Sequence, residues 1–412
     1  MRRRRPLRHR GHDERRPDMR SLSLRRGDVG RAMRPTLLTP AFLTVAAAEL
    51  AYFTADGVLL PAVPRYVAGP LGGGDAAVGL VVGIWTLAAF LLRPLAGRLG
   101  DRRGRRAVMV LGASLFAASI VGYLAAPSIP VLIGARLLSG AGEALFFVAA
   151  FAATVDLAPA ARRGEAISFA SLSLYLGIGI GPFLGEAAIG LAGFPGAWIL
   201  AIALGAAAAV LSARLPALVP EGTDAEANRL VDRRGLLPGL VLLSMVLGMA
   251  GFLAFVPLYA LDLGMAGAGP VLGLFGAIVV GIRSLGARIP DRVGAGRTTR
   301  ISLVAGAVGL ATAGLWREPT GLVMGAAVLA VGVALFTPGL MSLAMEGVAP
   351  NARGAVMGTT TAFLDLAFGL GPATLGVLAA AAGRPGTFLA GAGVALLGLG
   401  VVQTTRLGRS RA

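Results

Sequence analysis

Gly97-Arg98-Leu99-Gly100-Asp101-Arg102-Arg103-Gly104-Arg105-Arg106 is the stretch on which the fold turns. It is a short basic reversal between two apolar runs, and its centre returns 190 residues later as Asp291-Arg292-Val293-Gly294. The same offset of 190 brings Arg93 onto Arg283, Gly142 onto Gly332, Arg163-Gly164 onto Arg353-Gly354, Gly179 onto Gly369, and Gly181-Pro182 onto Gly371-Pro372. These are loop charges and span-breaking Gly and Pro in one register without a gap. The chain is expected to be a duplicated unit.

The sequence around the two copies is apolar. With 412 residues, 56 % of them apolar and only 14 % charged, no single water-soluble core would hide so much apolar surface, whereas a bilayer accepts it. Soluble enzymes and nucleic-acid binders are thereby excluded, despite a net charge of +17. Taking about 20 apolar residues per span, twelve stretches qualify: 37–63, 77–97, 107–126, 130–156, 165–190, 195–217, 237–261, 270–288, 299–316, 321–346, 354–380 and 386–405. The fold expected is an all-α membrane protein whose twelve transmembrane helices form two pseudo-symmetric six-helix bundles, 37–217 and 237–406. A polar linker, 218–236, joins them. Each half has an even number of spans, so both enter from the same face and are related by an axis along the membrane normal, with the binding site between them.

Every one of the 38 basic residues is Arg. Alternate loops hold the excess, with only Arg65, Arg317 and Arg384 on the far side, which places both termini in the cytoplasm of a cell with the protein in its inner (plasma) membrane. Residues 1–36 read as a disordered Arg-rich cytoplasmic tail, either touching anionic lipid headgroups or simply unstructured, and 407–412 as a short second tail. There is no Cys, and both His, His9 and His12, lie in the tail. No metal site, cofactor or catalytic constellation is expected. Without Lys there is no phosphate-binding loop, so ATP is not the energy source.

Ionisable residues inside spans carry the chemistry, since each costs about 2.5–3.5 kcal/mol at the bilayer centre. Glu49, Asp56, Arg93, Arg136, Glu143, Glu186, Arg283 and Asp365 must be paired or face water. Glu49 and Asp56 are nearly two turns apart on span 1, with Tyr52 between them, and Arg136 and Glu143 share that spacing on span 4. A carboxylate between desolvation and a nearby Arg is a proton-coupling device; the alternative is an ion pair that only fixes helix packing. Asp365, repeat mate of Tyr175, has no evident cationic partner in the sequence. Glu186 is expected in a wet outer vestibule, and Arg93 and Arg283 are expected to snorkel toward the cytoplasmic surface.

The signature at 97–106 closely resembles the loop motif of the major facilitator superfamily: a Gly, then Asp-Arg, one residue, then Gly-Arg-Arg. Arg136 followed by Gly140 and Gly142 resembles the family's second motif. Gly177, Gly181-Pro182 and Gly185 resemble its antiporter-associated Gly-Pro motif, although the Gly371-Pro372 copy equally suits structural kinks. The resemblance implies a secondary transporter that works as a monomer by rocking one half against the other. Gly97, Asp101, Arg102, Gly104, Arg105 and Arg106, with a weaker copy at Asp291, Arg292 and Gly294, would latch the loop against the start of helix 11, near Arg353, when the protein opens outward. Glu49, Asp56, Glu143 and Asp365 are then the candidates for proton coupling, and Arg136, Tyr52 and Tyr175 their charge partner and polar lining. The function expected is proton-coupled export, by antiport, of a small lipophilic or cationic compound. A symporter or facilitator of a sugar or small metabolite is the alternative, and a non-transporting sensor on the same scaffold is the alternative from another class.

Overall fold

The computed structural model describes residues 37–159, 162–217, 232–285, 292–349 and 352–405. The tails expected at 1–36 and 407–412, linker residues 218–231 and Asp291 lie outside the described residues. The described residues form ten helical stretches. Two of them, Arg163–Ala213 and Arg353–Thr404, are broken, at Ala192-Gly193 and at Gly383. Gly193 has φ 66° and Gly383 φ 74°, the left-handed region that only glycine takes cheaply. Pro195 and Pro385 follow them, so the same Gly-x-Pro corner ends a helix at the same place in each repeat.

Counting each side of a break separately gives twelve helices. They are α1 (Pro40–Ala68), α2 (Asp75–Arg103), α3 (Arg105–Leu124), α4 (Ile129–Asp156), α5 (163–191), α6 (194–213), α7 (Arg233–Asp262), α8 (Gly269–Leu285), α9 (Ala295–Leu315), α10 (Pro319–Met345), α11 (353–382) and α12 (384–404). With the broken stretches counted once, nine helices among the described residues are long and apolar enough to cross a membrane; α8, at 17 residues, is shorter. The fold read from the sequence is therefore present. Its helices start where local chemistry dictates: the Thr39 hydroxyl accepts from the Phe42 N–H at 3.2 Å to cap α1. Gly104 at φ 83° turns the chain from α2 into α3, and its repeat mate Gly294 at φ 89° precedes α9.

Lipid gives helices no hydrophobic reason to associate, so close packing falls to small residues. In the first half α1 lies on α5 and α3 on α4; in the second, α9 lies on α10. A Cβ added to Gly181 would stand 2.5 Å from the Gly57 Cα, and Gly177 and Gly185 meet the Phe53 and Val58 backbones in the same way. The Gly-Pro motif is thus the seam between α5 and α1. The halves meet along α2 with α11 and α5 with α8, where glycine again sets the distance: a Cβ on Gly276 would lie 2.5 Å from the Gly179 Cα, and one on Gly79 would lie 2.9 Å from the Gly376 Cα.

Candidate functional site

Between the halves lies a crevice of about 1500 Å3, solvent-open space included, lined from both bundles. Phe53, Trp85, Phe147, Phe336 and Phe368 give it an aromatic wall, Met245 and Met249 an adaptable one. Its charges are Asp56 on α1, Arg93 on α2, Arg136 and Glu143 on α4, and Asp365 on α11.

Arg93 holds the acids together. Its Nη1 lies 2.9 Å from Asp365 Oδ2 and its Nη2 3.6 Å from Glu143 Oε1, while the guanidinium sits 4.7 Å from the Phe147 ring centroid. The expected snorkelling is overturned, because the guanidinium turns to two carboxylates on neighbouring helices, and opposite charge stabilises an arginine so placed. Asp365 therefore has a cationic partner, and that partner belongs to the other half.

Arg136, the expected partner of a helix 1 acid, is spent on backbone. Its Nε donates to the Val81 carbonyl at 3.1 Å, its Nη2 to the Val82 carbonyl at 3.2 Å, and its Nη1 to the Tyr123 hydroxyl at 3.5 Å, with Trp85 beneath it at 5.0 Å. It anchors α4 to α2. Asp56 consequently makes no ion pair or hydrogen bond among the described residues and stands half-buried at the crevice wall.

Glu49 does not share that site. Seven residues along a helix is a rise of about 10 Å, and Glu49, only 3 % exposed, accepts from the Thr154 hydroxyl at 3.1 Å away from the crevice lining. Tyr52 is fully buried and stacked on Phe146 at 4.1 Å, so it stiffens the wall. Tyr175 edges the main crevice and a second one between α5, α8 and α10, and carries the Arg283 guanidinium 4.3 Å over its ring. Arg283, like Arg93, turns to a side chain of the opposite half.

At the signature end Arg105 reaches Asp101 at 2.7 Å and Asp156 at 3.3 Å. All three belong to the first half, so among the described residues the loop ties α2, α3 and α4 together and makes no bridge to α11. Arg102, Arg106 and Arg292 are exposed. At the opposite end the halves are clasped twice. Arg384, at the start of α12, bonds Asp75 at the start of α2 at 3.0 Å and Asp262 at the end of α7 at 2.6 Å. Glu186 on α5 accepts from the Ala268 and Gly269 N–H groups at 2.6 and 2.8 Å. Those are the free donors at the positive end of α8, and the lack of a side chain on Gly267 and Gly269 leaves the carboxylate its room. Glu186 is thus a clasp rather than a vestibule residue.

The sequence reading missed this use of Arg384 and Glu186 and the bridging role of Arg93. A signal existed for Arg93, since its repetition as Arg283 inside an apolar run marks a structural position. None existed for the clasps, whose partners are 82 to 309 residues apart in the chain.

Twelve helices in two repeats around a charged crevice, clasped at one end, have the architecture of a secondary transporter. The family model of the Major Facilitator Superfamily matches residues 45–372, and the chain belongs to that family. An uncharacterized MFS-type transporter of Salmonella typhimurium is 30 % identical over 370 residues, covering 87 % of this chain and 95 % of the relative. One from Burkholderia mallei is 32 % identical over 360 residues, covering 82 % and 87 %. Among solved structures, a bacterial homologue of the human lysosomal transporter Spinster, in an inward-facing and occupied conformation, superposes with a TM-score of 0.74 at 15 % identity, covering 87 % of this chain and 95 % of that one. A nucleoside transporter superposes with a TM-score of 0.71 at 16 % identity, covering 87 % and 98 %. The protein is a multi-pass membrane transporter.

Proposed function

We propose that the protein exports a small lipophilic or cationic compound by proton antiport, with both termini and the signature loop in the cytoplasm of a cell whose inner membrane it spans. The observation that carries this reading is Asp56: a carboxylate with no direct ion pair or hydrogen bond among the described residues, in an aromatic crevice beside two acids that Arg93 already serves. A proton or a cation satisfies such a group, and each excludes the other, which is the exchange antiport needs. The Arg excess at the signature end supports the orientation, and the clasps at the opposite end support a resting state open to the cytoplasm. Small-molecule substrate, protons and lipid suffice as partners for a monomer.

The test is reconstitution in liposomes with an internal pH dye and tetraphenylphosphonium as cargo. Wild type is expected to move protons against the cation, and Asp56→Asn to lose that exchange at least tenfold while reconstituting normally. Undiminished coupling in Asp56→Asn would reject the reading. The sugar-transport alternative has less support, because the hydroxyls in the crevice lining are few beside its aromatic and aliphatic groups.

A further inference from the structure

The second crevice, between α5, α8 and α10, holds a cation without a counter-ion among the described residues. Arg283 lines it, and its Nε and Nη2 are buried and donate to no acceptor among the described residues. The carboxylate in that lining, Glu165, is already engaged by Arg162 at 2.7 and 2.8 Å. A buried guanidinium with idle donors is costly, and charged hydrogen bonds are the interactions that offset such a cost.

The repeat shows what is missing. Arg283 is the mate of Arg93, at the offset of 190. Arg93 is met by Glu143 from its own half and by Asp365 from the other. The mate of Glu143 is Val333 and the mate of Asp365 is Tyr175. Tyr175 stands against Arg283 from the opposite half, as Asp365 stands against Arg93. The arrangement is kept and both carboxylates are gone.

We propose that Arg283 is a binding site for the carboxylate of a small organic ligand, which takes the place that Asp365 and Glu143 hold in the first repeat. The ligand's carboxylate accepts from Nε–H and Nη2–H in the forked geometry that guanidinium favours. Tyr175 supplies an aromatic surface beside it and joins this crevice to the central one, so the site lies on a path between the signature end and Asp56. The proposal goes beyond cation antiport: it adds a subsite for an anionic group and stands or falls by binding alone.

Radiolabelled benzoate is the probe, measured by equilibrium dialysis against the full chain in phosphatidylcholine nanodiscs, with benzamide as the uncharged isostere. Wild type is expected to bind benzoate saturably and to be displaced by unlabelled benzoate but not by benzamide. Arg283→Gln should weaken binding by roughly tenfold or more. Tyr175→Asp restores an internal carboxylate and should weaken binding as much while unfolding no earlier than wild type, so the loss is not one of fold; Tyr175→Phe should still bind. Equal benzoate affinity in wild type and Arg283→Gln, or no saturable binding, would overturn the proposal. So would phosphatidylglycerol that co-purifies with wild type but not with Arg283→Gln while benzoate fails to bind, since the site would then belong to a lipid headgroup.

Discussion

Arg93 does what no local pattern announces: one guanidinium neutralises an acid from each half, and so joins them. Stranding a buried charge outright costs on the order of 3 kcal/mol, and losing Asp365 costs part of that, because Glu143 at 3.6 Å still meets Arg93. Asp365→Asn is accordingly expected to lower the unfolding temperature of the detergent-solubilised protein by several degrees. Arg93→Asp combined with Asp365→Arg, which reverses the pair, should recover part of the loss. Equal stability of wild type and Asp365→Asn would show that water in the crevice already screens the pair. The acids were legible in the sequence because charge inside an apolar run is conspicuous. Their partners were not, because Arg93 and Asp365 are far apart in the chain and only packing brings them together.

At the scale of elements, the helix seams depend on residues without side chains. A Cβ on Gly181 would press on the Gly57 Cα, backbone against backbone, and neither can rotate aside. Gly181→Ala is expected to separate α5 from α1 at a cost of about 1–3 kcal/mol, seen as a lower unfolding temperature and reduced yield in the membrane fraction. Gly190→Ala, with open space around its position, should leave both unchanged. If Gly181→Ala matched wild type, the seam would be looser than its geometry implies. The helices themselves were readable from hydropathy, whereas the corners at Gly193 and Gly383 came only from the structure. The use of the Gly-Pro motif as a seam required knowing which helix lies opposite it.

For the whole molecule, the clasps lie together at the end opposite the signature loop. Arg384 and Glu186 act from different helices on the same closure, so their combined loss should favour the state open at the far end. The chain has no Cys, so Leu71→Cys and Leu263→Cys place spin labels on the two halves at that end without further changes. Double electron–electron resonance is expected to show longer distances when Glu186→Gln and Arg384→Gln are added, and unchanged distances would remove the clasps from the conformational balance. Arg105 should then be free to exchange partners at the signature end, where it now holds Asp101 and Asp156 within one half.

The duplication, the apolar spans, the membrane environment and the embedded charges were fixed by the order of residues alone, because periodicity, hydropathy and a constant offset are properties of a string. Which carboxylate goes unpaired, which arginine is idle, and which end is clasped were decided only in three dimensions. Each depends on distances between helices remote in the chain, and a buried charge takes its character from whatever stands within a few ångströms of it.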